Sequence, residues 1–199
     1  MSGTFPSSPL PTSVEVSSTS PTLLDMTHSG RRNSRQLGSQ KWSLECSFPS
    51  TMSRAQFMPL FAFALSQAGR FGTFSFVSPD LATPQGGAGG SPKVDGAGQT
   101  GTSVNTDGWT PSTNVLKAGD ILKYSGHNKV YMMTEDADAD GSGDATLVHY
   151  PPLMAAIGNN EVIAVLNVPF TVQLADDVSK YAVKGPLLYN FKMSMMEVI

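Results

Sequence analysis

The sequence predicts a mainly β chain with a single flanking α-helix. Three observations carry that expectation. Residues 41–48 alternate strictly, helical periodicity occurs once, between Phe57 and Ala68, and short strand candidates recur to the end, punctuated by Gly, Asp, Asn and Pro. In the first of these, Trp42, Leu44, Cys46 and Phe48 share one side, with Lys41, Ser43, Glu45 and Ser47 on the other. That is the period-2 signature of a strand with one buried face.

Pro49 and Ser50 end that strand, and Ser53 with Gln56 has the spacing of a capping box. Phe57, Leu60, Phe61, Ala64, Leu65 and Ala68 then recur at helical intervals up to Gly69. Pro59 has no amide hydrogen for the carbonyl of Ala55, which predicts a kink or a frayed first turn before a regular stretch from Leu60. Residues 70–77 read as a second strand. Residues 84–114 hold eight glycines and only three charges, Lys93, Asp95 and Asp107, and read as a long irregular connection or as very short strands joined by turns. Residues 121–124, 129–133 and 146–150 form a meander, and residues 161–174 hold two strands, with Pro169 at a bend. The ending, 187–199, puts Tyr189, Phe191, Met193 and Met195 on one face, after which Met196, Val198 and Ile199 predict a bulge. A chain whose ordered part begins and ends with strands is expected to pair them.

Composition bounds the function. The 199 residues are 40% hydrophobic and 15% charged, well below the roughly 25% charge usual in soluble domains, which predicts a surface largely covered by other subunits. A net charge of −3 with 13 scattered cations argues against a dedicated nucleic-acid binder. Residues 1–24 contain seven Ser, four Thr, four Pro and one charge, Glu15; no export signal is read there, and they read as an extended N-terminal arm laid across a neighbouring subunit. No later segment reads as membrane-spanning.

Few motifs carry chemistry. Asp136, Asp138, Asp140 and Asp144 match the first half of a calcium loop, but Leu147 stands where a bidentate Glu belongs and both flanks are strand-like. The loop is a weak calcium candidate, and a polar hairpin turn explains the same residues. Gly86-Gly87-Ala88-Gly89-Gly90 lacks the Lys-Ser/Thr pair and helix start of a phosphate loop and reads as a flexible linker. The lone Cys46 falls on an apolar strand face, and His28, His127 and His149 share no spacing with it or with one another, so neither a catalytic residue nor a cofactor site is assigned. Arg31, Arg32, Arg35 and Lys41 form the only basic concentration, read as a solvated loop or as a subunit interface facing acidic neighbours.

The order of segments resembles a known family. Gly38-Ser39-Gln40-Lys41-Trp42 leads into a strand, Arg54-Ala55-Gln56-Phe57 and Pro59-Leu60-Phe61-Ala62-Phe63 into a helix, and Gly69-Arg70-Phe71-Gly72-Thr73-Phe74 into the next strand. With Leu116-Lys117-Ala118-Gly119-Asp120-Ile121, Lys129-Val130-Tyr131-Met132, Pro151-Pro152-Leu153 and Val168-Pro169-Phe170-Thr171-Val172, this resembles the distal tail and related tail-tube proteins of long-tailed bacteriophages over about residues 30–199. The resemblance implies a tail-tube-like β-sandwich or split barrel over residues 25–85 plus 160–199, with a small OB-like β-barrel inserted at 86–159. It further implies a virion structural protein at the distal end of the tail, assembled in the host cytoplasm and active in host attachment. Six copies would form a baseplate ring joining the tail-tube protein to the hub and fibre proteins, with DNA passing through the channel without specific binding. Another tail adaptor or a terminator is the nearest alternative. A calcium-assisted carbohydrate-binding β-sandwich, with Trp109 and Tyr124 as the stacking platform, is the alternative from a different class.

Overall fold

The computed structural model describes residues 3–185 and 188–199. In chain order the elements are β1 (Ser13–Thr19), β2 (Thr22–Met26), β3 (Arg32–Gln36), β4 (Lys41–Ser47), α1 (Arg54–Ser66), β5 (Thr73–Phe76), β6 (Gly90–Val94), β7 (Ser103–Trp109) and β8 (Ser112–Leu116). They continue with β9 (Ile121–Tyr124), β10 (Tyr131–Met133), β11 (Ala137–Ala139), β12 (Ala145–Tyr150), β13 (Ile163–Ala164), β14 (Phe170–Leu174), β15 (Ala182–Lys184), β16 (Leu188–Asn190) and β17 (Lys192–Glu197). Two compact units result, one from Met1–Phe74 with Val172–Val198 and the other from Ser75–Thr171.

The first unit is a five-stranded sheet in the order β1-β4-β17-β14-β5, with α1 as the one α-helix among the described residues. The expected pairing of early and late strands is present, with Met193 opposite Cys46 and Met195 opposite Leu44. Alternation in β4 does what its pattern predicts: Trp42, Leu44 and Cys46 are buried and their neighbours are not. The helix runs from Arg54 through Pro59 to Ser66, so the proline interrupts neither end. Its start is fixed because the Ser53 amide donates to Gln56 Oε1 at 3.0 Å. Phe57 and Leu60 are fully buried, and the Phe57 ring lies 4.8 Å from Tyr189 and 5.6 Å from Phe191. Each such side chain contributes about 1.5–3 kcal/mol.

Within residues 1–24, read from the sequence as an arm across an adjacent subunit or a neighbouring tail protein, Ser13–Thr19 pair antiparallel with β4 in the same chain, Val16 opposite Leu44, and form the edge of the sheet. Phe5 anchors the preceding residues, its ring 5.7 Å from Phe63 and 6.2 Å from Phe48. A Ser/Thr-rich stretch that cannot fold alone is thus ordered by a backbone ladder and one aromatic. One expectation is corrected in this unit: the bulge expected after Met195 does not occur. Burial keeps its period through Glu197, which is 2% exposed and whose Oε2 accepts the Trp42 amide at 3.2 Å. A carboxylate takes the inward position that apolar patterning would give to Met196 or Val198.

The second unit is a six-stranded sheet in the order β13-β9-β10-β12-β7-β6. It curls until its edges meet: Lys93 bridges Val162, the Val94 amide donates to the Glu161 carbonyl at 3.0 Å, and the Asn160 amide donates to the Val94 carbonyl at 2.9 Å. This barrel encloses Val94, Val104, Trp109, Leu122, Tyr124, Tyr131, Leu147, Ile157 and Ile163. The unit runs from residue 75 to residue 171, beyond the 86–159 expected for an insertion. Asp120 explains part of the N-terminal extension, because its buried carboxylate accepts the amides of Gln85, Gly86 and Lys117 at 2.7, 3.1 and 2.8 Å. The glycine run is packed chain here, where a flexible linker was expected. A Cβ on Gly86 would stand 2.5 Å from the Val115 carbonyl oxygen, and one on Gly90, at φ +101°, would collide with the backbone at Gly108.

Candidate functional site

Three places carry groups with chemical or binding potential: the aspartate loop, the histidines of the barrel, and the exposed surface of the first unit. The aspartates sit where β11 turns into β12, and most of their carboxylates already hold backbone. Asp140 Oδ1 accepts the amides of Ser142 and Asp144 at 2.8 and 3.0 Å, Asp138 Oδ1 that of Asn114 at 2.6 Å, and Asp136 Oδ1 that of Ala118 at 2.8 Å. The amides of Asp144, Ser142 and Gly143 hold the Asp140 carboxyl below the usual carboxylate range. The Asp140 amide and the Asp144 carbonyl close the turn at 3.0 Å, so the polar-hairpin geometry is the one present. Asp136, Asp138, Asp140 and Asp144, with Asp95, line one shallow cleft of about 430 Å³. Among the described residues, no three His, Cys, Asp or Glu side chains are grouped to hold a metal.

Inside the barrel, sequence reading missed a cluster that tertiary structure assembles from separate strands. His149 packs 4.7 Å from Tyr131 and 5.8 Å from Tyr124, and His127 Nδ1 lies 2.8 Å from the Tyr131 hydroxyl. His149 Nδ1 is 3.0 Å from the Pro151 carbonyl, which must accept, so Nδ1 carries the proton. Burial pushes the His149 imidazolium below its ordinary range, against the opposing pull of that carbonyl, and pushes the Tyr124 phenol strongly up, with Tyr131 adding to it. His127 is lowered by burial and partly restored by Glu161. These groups are neutral packing elements of a core. The one cysteine, Cys46, is buried in the other unit. The carbohydrate platform is corrected on the same ground. Trp109 is 4% and Tyr124 0% exposed, and the indole Nε1 donates to Thr106 Oγ1 at 2.8 Å within the core.

The first unit presents a different kind of site. Hairpin β2–β3 pairs Leu24 with Ser34 and Met26 with Arg32, yet all ten strand residues are exposed. Its turn is internally fixed, the Thr27 amide donating to the Arg31 carbonyl at 2.9 Å and the Arg31 amide to Thr27 Oγ1 at 3.2 Å. Leu24 is 70% and Met26 66% exposed, and Phe71, just beyond α1, is 90% exposed. Alternation does not mark the two short runs about the His28-Ser29-Gly30 turn, because neither face of the hairpin is buried.

Residues 87–168 match the family described as Distal tail protein pb9, B domain, a phage tail family. The matched stretch lies inside the compact unit Ser75–Thr171 and holds β6 to β13, hence the whole barrel. It bears out the resemblance to phage distal tail proteins over the barrel, and a structural tail family points to a non-enzyme. No curated protein matches the chain.

Proposed function

We propose that this chain is the distal tail ring of a siphovirus-type phage, six copies joining the tail tube to the hub and the receptor-binding fibres. The observation that carries the reading is the family match across the whole barrel. Two features of the molecule support self-assembly. The first unit leaves Leu23, Leu24, Met26, Leu37, Leu65 and Phe71 exposed, apolar side chains that contact with a further subunit would cover. Strand β1 also forms the edge of its sheet with a Ser/Thr-rich backbone that no Lys or Pro blocks between Ser13 and Thr19. A chain of net charge −3 suits a channel that DNA traverses without sticking.

The test is the mass of the purified protein together with antibody labelling of virions in the electron microscope. Rings of six and label at the tail tip are expected. A stable monomer absent from particles overturns the proposal, and label at the head-proximal end moves the protein to a terminator role.

A further inference from the structure

We infer that the β2–β3 hairpin docks on a second copy of this chain, against the aspartate-lined face of that copy's barrel. The hairpin is an unpartnered two-stranded sheet with a preformed turn. One face carries Leu24, Met26 and Arg32, the other Leu23, Asp25 and Arg35, with Arg31 at the turn. Among the described residues, none of Arg31, Arg32 and Arg35 forms an ion pair; the pairs present are Arg70 with Asp176 and Asp177, and Lys192 with Glu45. The three arginines are the densest cationic feature of an acidic chain.

The complement lies on the other unit. Asp95, Asp136, Asp138, Asp140 and Asp144 line one cleft, none of them neutralised by a Lys or Arg among the described residues. Carboxylates that share one cleft repel one another, and guanidinium groups brought to it, Arg31 from the turn and Arg32 and Arg35 from the two faces, relieve that repulsion with charge-assisted hydrogen bonds. The apolar stems of Leu24 and Met26 supply contact area next to the charges, and the paired charges set which surfaces meet. Occupation by a second copy needs no component beyond the chain itself. The inference rests on the proposed self-assembly and names its surfaces.

Two full-length variants test it. In one, Arg31, Arg32 and Arg35 are each replaced by Glu. In the other, only Asp95→Lys and Asp144→Lys are introduced, because these two carboxylates hold no backbone amide, whereas Asp136, Asp138 and Asp140 do. The first variant sets like charge against like and the second removes most of the cleft's negative charge, and in each case self-association measured by sedimentation velocity should weaken at least about tenfold. Mixed, the intact hairpin of the second variant meets the intact cleft of the first, and association between the two should return. Circular dichroism matching the parent assigns the loss to the surface. Parent rings with either variant assembling unimpaired, or with a mixture that stays dissociated, overturn the docking and leave the ring proposal standing. A parent that never self-associates sinks both. Loss of duplex DNA binding by the arginine variant without loss of association would make the hairpin a nucleic-acid contact and overturn the inference.

Discussion

The two units are of similar length and both are β-rich, yet they treat apolar surface in opposite ways. The barrel closes its sheet on itself and leaves few large apolar side chains outside, among them Met154 and Leu166. The first unit keeps an open sheet and leaves Leu10, Leu23, Leu24, Met26, Leu37, Leu65, Phe71, Val178, Tyr181 and Val183 exposed. Closure satisfies hydrogen bonds and apolar burial within the chain, whereas an open sheet with bare apolar positions leaves part of both to partners. The difference marks the barrel as a self-contained module and is the basis for proposing the first unit as the part that meets other subunits.

The largest expected effect that sharpens this contrast is in the barrel core. Leu147 in β12 is fully buried, so Leu147→Ala should cost about 2–5 kcal/mol in denaturant unfolding. A loss under 1 kcal/mol would mean that the barrel is looser than its closure implies. A middle-sized effect concerns pH. His149 is held neutral by burial, so the unfolded chain binds a proton that the folded barrel refuses. Stability is therefore full above the unfolded value near 6.5 and falls as pH drops through it, by at most about 1.4 kcal/mol per pH unit for one group. His149→Phe should flatten that slope in urea titrations between pH 7 and 5, and an unchanged slope would assign the titration elsewhere. The smallest effect on folding belongs to the first unit. Phe71→Ala should change unfolding by no more than about 0.5 kcal/mol, because the ring is 90% exposed, while reducing self-association in sedimentation. Strong destabilisation of the monomer would show that Phe71 is core.

What was legible in the sequence follows the same division between local and distant causes. Strand β4, helix α1 with its Ser53 start, and strand β12 were readable because one face of each is buried, which imprints a period on neighbouring residues. Hairpin β2–β3 was not, since exposure on both faces imprints none. Strand β1 was hidden by its composition. Its order comes from a ladder with β4, a cause more than twenty residues away. At Glu197 the pattern misled, because a buried carboxylate paid for by the Trp42 amide breaks the rule that inward positions are apolar. The histidine–tyrosine cluster could not be foreseen from spacing, since its members come from β9, β10, β12 and the turn between β9 and β10.

The pairing of β4 with β17 also dictates an order of events during synthesis. Residues 75–171 are continuous, so the barrel has every strand that it needs once residue 171 has emerged. The sheet of the first unit does not: Lys41–Ser47 waits for Lys192–Glu197, and between them the chain must close a loop of some 150 residues. Until β17 has emerged, β4 offers an open ladder, and only β1 is available to cover one of its sides. A nascent chain therefore finishes its barrel while the sheet of the first unit still lacks a central strand, so the slower, long-range closure belongs to the open sheet.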